Sequence, residues 1–265
     1  MPVEPDTIRA FQDEGVAVLR GVFRDWIAPL AQGVAEVRRA PSALERSYRP
    51  KDGSAPFFQD FCNWRRIEAL RAFVFDSPAA ELAACLMQAR SARFFHDHVL
   101  IKEPGSSVVT PWHQDAPYYC VAGAQSVSFW TPLDRVAREV ALECIAGSHR
   151  WSATGFRPKR FDGTNLYAHD DFAELPDIDA HRADFGIRGW ALEPGDAVAF
   201  SFRTVHGAPA NVSTTTRRVF SHRWVGDDAR FVRLGASGSP PFPHLTLEDG
   251  APFDAPEFPV VWPRD

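Results

Sequence analysis

The sequence predicts a mainly β protein with flanking helices, folded as a jelly roll. Two observations lead to this prediction. The first ninety residues show helical patterns, whereas the chain after residue 90 consists of strand-like stretches separated by turn formers. A run of helices followed by many antiparallel-type strands is typical of a jelly roll with helices packed on one face.

The helical patterns in the first third have recognisable starts and stops. We expect helices over 6–14, 24–38 and from 78 to about 87, because each has an amphipathic spacing, a capping residue or a terminal glycine. A strand is expected at 16–19. Residues 41–62 contain several prolines and a glycine, which interrupt helices and strands, so this stretch is expected to be irregular.

An aromatic cluster falls in and after that irregular stretch. It consists of Phe57, Phe58, Phe61 and Trp64. Large aromatic side chains are most often core, but a loop carrying them can also cover a pocket. Both interpretations stay open from the sequence, and in the second Phe57 and Trp64 contact the substrate.

Six stretches after residue 90 combine β-branched and aromatic residues between turn formers. They are 93–103, 126–133, 140–145, 190–194, 197–202 and 217–225. Residues 151–187 have no clear period and are predicted to form a long excursion over the barrel mouth. We therefore expect one domain over 1–265, with helical support and a pocket lid in 1–90, the jelly-roll core in 91–232 and an extended tail in 233–265.

Composition excludes several classes of function. The net charge of -5 gives no reason to expect nucleic acid or an anionic membrane as a partner. The first residues lack a basic region followed by an apolar run, so no signal peptide is expected. Four separated cysteines without a CxxC pair predict reduced thiols. We expect a cytoplasmic monomer or homodimer that acts on a small molecule.

The pattern His113-Gln114-Asp115 is the strongest chemical signal in the sequence. Side chains alternate faces along a strand, so the imidazole and the carboxylate fall on the same side. With one distant histidine they make a 2-His-1-carboxylate triad, which binds Fe(II) on one face. By itself an HxD pattern is more often a surface or turn pair.

A distant histidine follows the strand predicted at 197–202. His206 precedes Gly207, which permits close backbone approach, and Arg217 comes eleven residues later at the start of the next strand. A lone histidine at a strand end is usually structural. An arginine inside a barrel, however, is costly unless it binds an anion, and its guanidinium matches a carboxylate.

Taken together, these motifs resemble the phytanoyl-CoA dioxygenase family of Fe(II)/2-oxoglutarate oxygenases, which includes ectoine hydroxylase. The motifs are HQD at 113–115, GSH at 147–149, PGD at 194–196, HGxxxN at 206–211 and Arg217. The resemblance runs from the first helix to about residue 232. It implies a double-stranded β-helix (jelly roll, cupin-like) with Fe(II), 2-oxoglutarate and O2 as cofactor and cosubstrates.

The resemblance also implies a role for individual residues. The iron ligands would be His113, Asp115 and His206. Arg217 would hold the distal carboxylate of 2-oxoglutarate, and Gln114 and Trp130 would line its pocket. Family members often carry serine two residues after the distal histidine, where this chain has Ala208. We expect Thr204 or Lys102 to supply the missing hydrogen bond.

Strand alternation extends the prediction to the substrate side. If Arg217 points inward, then Val219, Ser221 and Arg223 share its face. Arg223 is then either a cation that contacts an anionic substrate or a structural partner of an acid such as Asp134.

Aromatic residues that follow the HxD pattern complete the predicted substrate wall. They are Tyr118 and Tyr119. Aromatic walls with one fixed cation suit a small or medium-sized substrate with a carboxylate or phosphate group.

The predicted activity is hydroxylation of an organic metabolite, with succinate and CO2 as co-products. Halogenation is disfavoured because Asp115 fills the coordination place that a halide would need. The alternatives are a non-oxygenase metal-dependent jelly-roll enzyme, which leaves Arg217 without a function, and a non-catalytic binding module, which would be expected to lack a ligand.

Overall fold

The computed structural model describes residues 3–152, 154–159, 164–167, 172–234 and 238–263. The α-helices of this part are α1 Pro5–Glu14, α2 Ile27–Arg39, α3 Glu68–Asp76 and α4 Ala79–Met87. The strands are β1 Val16–Leu19, β2 Phe57–Phe61, β3 Ala92–Lys102, β4 Thr110–His113, β5 Val121–Ala122, β6 Ser126–Pro132, β7 Glu143–Ile145, β8 Ile187–Arg188, β9 Ala197–Phe200, β10 His206–Ala208, β11 Arg217–Val225, β12 Arg230–Phe231 and β13 Val260–Trp262. Short 3-10 helices lie at Arg24–Trp26, Ala116–Tyr118, Arg138–Val140, Ser148–Arg150 and Arg182–Asp184.

Two antiparallel sheets form the body of the fold. The large sheet has the order β1-β9-β6-β11-β3-β13, and β2 also pairs with β3. The small sheet has the order β4-β10-β7-β8, and β5 pairs separately with β12. Residues of both sheets line one cavity. This architecture confirms the predicted jelly roll with flanking helices.

The outer face of the large sheet is covered by the helices. Leu30 of α2, Phe73 of α3, and Phe129, Phe220 and Trp224 of the sheet are buried in one hydrophobic cluster. Burying each such side chain stabilises the fold by about 1.5–3 kcal/mol. Because alternate residues of β11 face the helices, the intervening ones must face the cavity.

Several local predictions are confirmed. Helix α1 ends at Gly15, whose φ of 75° lies in the left-handed region and whose N–H donates to the Phe11 carbonyl. The strand at 16–19 and the helices after residues 24 and 78 form as expected. Helix α3 was not predicted, although its apolar residues Leu70, Phe73 and Val74 follow a helical spacing.

Two element predictions are wrong. Residues 57–61 were expected to be irregular, but they form β2 along the edge of β3. The prolines and the glycine of this region all precede β2 and leave the strand itself uninterrupted. Residues 190–194 were expected to form a strand, yet Leu192 makes only an isolated bridge to Val136.

The C-terminal tail does more than extend over the surface. Phe253 and Phe258 are buried beside Phe95 of β3, and β13 pairs with the start of β3. The tail therefore adds to the core and closes one edge of the large sheet. No helix among the described ranges has the length and apolar character needed to span a membrane.

Candidate metal and cosubstrate site

The candidate metal ligands meet where two strands of the small sheet run side by side. His113 ends β4 and His206 begins β10, and the register of the pair sets these two residues opposite each other. Asp115 follows His113 by two residues. The candidate ligand atoms of the three residues all lie within 4.8 Å of one another. The fold thus brings together the three residues predicted to hold iron.

Backbone carbonyls orient both imidazole rings. Nδ1 of His113 lies 2.8 Å from the Pro111 oxygen, and Nδ1 of His206 lies 2.9 Å from the Thr204 oxygen. A carbonyl can only accept, so Nδ1 of each ring carries a proton. Burial is the main cause that lowers the pKa of His206 to about 3, and it keeps this ring neutral. Each Nε2 is then free to bind a metal.

The two oxygens of Asp115 have different environments. Oδ1 lies 3.9 Å from Nε2 of each histidine, whereas Oδ2 accepts a hydrogen bond from Ser128 at 2.8 Å. Burial opposes the charge of Asp115, but Arg223 and the hydrogen bond from Ser128 hold the pKa of the carboxyl well below its usual value. One oxygen of a permanently ionised carboxylate is therefore left for the metal.

This donor set fits Fe(II). Two imidazole nitrogens and one carboxylate oxygen on one side of a site are the ligands of the facial triad in non-haem iron oxygenases. Hydrogen bonds to the second nitrogen of each imidazole and to the second oxygen of the carboxylate hold such ligands in place. The positions not taken by the protein remain for a cosubstrate and O2.

The triad lines a cavity of about 490 Å³ between the two sheets. Sites for small molecules are commonly about 300–1,000 Å³. The face of β11 that carries Arg217, Val219, Ser221 and Arg223 lines this cavity. The predicted alternation along β11 is confirmed, because Arg218 points out of the cavity and pairs with Asp134 at 2.6 Å.

Two buried basic side chains lie in the cavity wall beyond the triad. Arg217 and Lys102 are register partners on β11 and β3, and they are 6% and 1% exposed. Arg217 donates to the Val140 carbonyl, and Nζ of Lys102 lies 3.1 Å from Oγ1 of Thr110. In the described ranges, no carboxylate forms an ion pair with either one. A buried guanidinium without a counter-ion, beside a lysine that a bound carboxylate can protonate, makes an anion site.

Aromatic rings flank both cations. The guanidinium carbon of Arg217 lies 5.9 Å from the centre of the Trp130 ring, and Nζ of Lys102 lies 4.8 Å from that of Phe57. Burial lowers the pKa of Arg217 to about 10. Burial first, and Arg217 second, lower the pKa of Lys102 to about 6.

Gln114 connects the triad to the cavity mouth. Its Nε2 donates to the Arg203 carbonyl, and its Oε1 accepts from the backbone N–H of Phe156 at 3.1 Å. Residues 156–159 and 174–179, which we call the mouth segments, line the cavity opening. Tyr118 also bonds a mouth segment, since its hydroxyl donates to the Lys159 carbonyl at 2.8 Å.

Arg223 lies in the cavity wall beside the metal ligands. Its Nε donates to the Tyr119 hydroxyl at 2.6 Å and lies 3.6 Å from Oδ2 of Asp115. Asp134, the acid suggested as its partner from the sequence, instead pairs with Arg218. The charge of Arg223 is therefore offset by a metal ligand, and Tyr119 supports that pair.

Two residues predicted at the site lie elsewhere. Trp64 packs in the helical core, where its ring centre lies 5.6 Å from that of Phe94. The turn after β2 carries Trp64 to the helix side of the large sheet. Oγ1 of Thr204 donates to the Gly15 carbonyl at 2.7 Å, so its side chain points away from the cavity. Lys102 is the predicted candidate that lies near Ala208, because its Nζ is 3.2 Å from the Pro209 oxygen.

Sequence reasoning missed several residues of the site. Gln59 of β2 and His98 of β3 line the cavity, and Ser128 binds Asp115. Phe61 also lines the cavity, in agreement with the pocket alternative for its aromatic cluster. Alternation along β3, counted back from Lys102, would have placed His98 on the inner face. The role of β2 was hidden because the stretch before it looks irregular.

With this geometry established, comparisons with known proteins assign the family. A sequence model of the family described as phytanoyl-CoA dioxygenase (PhyH) matches residues 11–219. The chain belongs to the phytanoyl-CoA dioxygenase family. A curated relative, a probable phytanoyl-CoA dioxygenase of Caenorhabditis elegans, is 24% identical over 186 residues, which is 68% of this chain and 54% of that protein. The match thus spans about half the length of this curated relative.

Solved structures of other proteins share the fold. The non-haem α-ketoglutarate-dependent carbocyclase SnoK from nogalamycin biosynthesis superposes with a TM-score of 0.76 at 19% identity, covering 98% of this chain and 96% of that chain. EctD from S. alaskensis, solved with 2-oxoglutarate and 5-hydroxyectoine, gives 0.71 at 18% identity, covering 95% and 86%.

Family membership confirms the enzyme class predicted from the sequence, an Fe(II)- and 2-oxoglutarate-dependent dioxygenase domain. Fe(II) and 2-oxoglutarate are the cofactor and cosubstrate of this class, and the triad of this chain fits the metal.

Proposed function

We propose that this protein hydroxylates a small or medium-sized organic metabolite and converts 2-oxoglutarate and O2 to succinate and CO2. The observation that supports this proposal is the triad. Hydrogen bonds to backbone carbonyls orient the two imidazole rings, so that Nε2 of each ring lies beside one oxygen of Asp115. Fe(II) held by His113, Asp115 and His206 supplies the oxidising chemistry when 2-oxoglutarate and O2 are present.

The cation pair supports 2-oxoglutarate as the cosubstrate. A dicarboxylate can chelate a metal at one end and place its other carboxylate on Arg217 and Lys102. The guanidinium donates two parallel hydrogen bonds to such a group, and a lysine ammonium adds a second charge. Trp130 and Phe57 would pack against the carbon chain and exclude water from these ion pairs.

The same pair argues against the other classes of function. An enzyme that used its metal only as a Lewis acid would have no need for two buried cations at the far wall. A binding module would not need both histidines held with Nε2 free. The oxygenase is the function in which the triad and the cation pair both take part.

The test is turnover of 2-oxoglutarate. Protein loaded with Fe(II) without oxygen is mixed with 2-oxoglutarate and O2, and succinate is measured with and without a panel of metabolites. We expect succinate to rise with one class of metabolite, whose product gains one oxygen atom by mass. Asp115→Ala should give only background succinate. The proposal fails if iron-loaded protein gives no more succinate than Asp115→Ala under any of these conditions.

A further inference from the structure

The part of the cavity wall nearest the metal carries polar side chains that cosubstrate binding does not use. On β11, Ser221 and Arg223 face the cavity, and His98 of β3 is the register partner of Ser221. Phe61 of β2 is the register partner of His98 on its other side. These residues form one band across three strands.

Most polar groups of this band already have partners. Ser221 donates to the Phe129 carbonyl at 2.9 Å and accepts from Nη1 of Arg223 at 3.1 Å. Arg223 donates from Nε to Tyr119 and lies beside Asp115. An anionic substrate on Arg223 would compete with the carboxylate of a metal ligand. Neither residue is therefore well placed to choose the substrate.

His98 differs from them, because its Nε2 is buried without a hydrogen-bond partner in the described part of the chain. The side chain lines the cavity and is only 8% exposed. Its ring stacks on Phe61 with centres 3.8 Å apart and planes 20° apart, which fixes the plane of the ring. A buried polar atom without a partner costs about 1–3 kcal/mol, so rotation of the ring within this plane that turns Nε2 to a ligand in the cavity gains affinity.

The charge state of His98 is also set by its surroundings. Burial, followed by the nearby charge of Arg223, lowers the pKa of its ring well below the usual value. The ring is therefore neutral near pH 7 and offers one hydrogen bond rather than a charge. His96 has a similar unpartnered nitrogen, but its ring packs against Phe95 and Tyr119 and does not line the cavity.

We propose that His98 selects the substrate through a hydrogen bond from its Nε2 to a neutral hydroxyl or amide group that lies next to the Phe61 ring. This inference rests on the proposed function and adds the class of substrate. A hydroxyl or primary amide can donate or accept, so either tautomer of His98 is satisfied. The substrate then carries a neutral polar group near the metal, and Arg223 stays with Asp115.

The test uses binding of fragments rather than turnover. Protein saturated with Zn²⁺ and 2-oxoglutarate is titrated with benzyl alcohol, benzamide, toluene and benzoate, and dissociation constants are measured by ligand-observed NMR. One neutral hydrogen bond corresponds to about a fivefold change in affinity. We expect His98→Phe to weaken benzyl alcohol and benzamide about fivefold relative to its effect on toluene. His98→Gln, which keeps a polar group, should retain most of the preference.

Two controls make the result specific. The ¹⁵N signal of the His98 ring, identified by its loss in His98→Phe, should shift with benzyl alcohol and not with toluene. His181→Phe, at an exposed histidine, should change no ratio. The inference is overturned if His98→Phe leaves the alcohol-to-toluene ratio unchanged, if neither polar fragment binds, or if benzoate binds most tightly and Arg223→Leu removes that binding. Because this assay needs no turnover, a failure in it is distinct from an absence of succinate formation.

Discussion

The affinity of this protein for 2-oxoglutarate should fall as the pH rises above 6, because Lys102 has to be protonated before it can attract the cosubstrate. Lys102 is 1% exposed, and its buried position beside Arg217 lowers the pKa of its ammonium group to about 6. At pH 7.5 the side chain is therefore mostly neutral in the free site. A bound carboxylate stabilises the charged form and raises this pKa.

The sign and size of the effect follow from this difference in pKa. Below pH 6 the lysine is charged with or without cosubstrate, so the affinity does not depend on its titration. Between the pKa values of the free and bound states, binding takes up a proton. The affinity then falls by up to about tenfold, or 1.4 kcal/mol, for each pH unit.

Calorimetric titration of Zn²⁺-saturated protein with 2-oxoglutarate measures both quantities. Titrations at pH 7.5 in buffers of different ionisation enthalpy report the number of protons taken up, and titrations from pH 6 to 8.5 report the slope. Lys102→Met is the matched variant, with a side chain of similar length and no titratable group. We expect the variant to bind 2-oxoglutarate more weakly at pH 6, and we expect its affinity to lose the pH dependence that Lys102 causes. The reasoning is refuted if Lys102→Met shows the same slope and the same proton uptake as the unaltered protein.

Other substitutions test the remaining parts of the site. Arg217→Met should weaken 2-oxoglutarate binding by about 2–4 kcal/mol because it leaves a carboxylate without its buried partner. Arg218→Met, outside the cavity, should change the same titration little, and equal effects would contradict the register of β11. Trp64→Ala should lower the free energy of unfolding in a denaturant titration by about 3–5 kcal/mol, while the 2-oxoglutarate affinity of the folded protein stays unchanged. Tyr118→Phe removes the hydroxyl bonded to Lys159 and should increase 2-oxoglutarate turnover that is not coupled to product, measured as the ratio of succinate to product; an unchanged ratio would mean that this bond does not hold the mouth.

Strand alternation predicted the inner face of β11 well, because Arg217 and Arg223 both line the cavity. Within a strand this period of two comes from the backbone itself. The same argument was wrong for His113 and Asp115, because β4 ends at His113 and the backbone of Asp115 is helical, although both side chains reach the site. His206 needed the additional spacing to Arg217, because a single histidine at a strand end carries no pattern.

The residues that the sequence predicted poorly are those whose position depends on pairing between distant strands. Phe61 and Trp64 lie three residues apart, yet one lines the cavity and the other packs under the helices. Only the pairing of β2 with β3 decides this. The unpartnered nitrogen of His98 is likewise a property of its neighbours. Local sequence has no information about which hydrogen-bond donors and acceptors remain unused after packing.

The position of Gln114 bears on how the substrate specificity of this enzyme could be altered. It lies between two metal ligands, and its carboxamide bonds the backbone of Phe156 rather than any side chain of the mouth segments. The attachment is therefore independent of which side chains those segments carry. Side chains of the mouth segments, however, also hold β4, because Asp179 accepts a hydrogen bond from Nε1 of Trp112 at 2.9 Å. Phe156 and Ile178 are buried in a cluster against which Trp112 packs. A designer who wants a new specificity should therefore keep Phe156, Ile178 and Asp179 and exchange the other side chains of these segments.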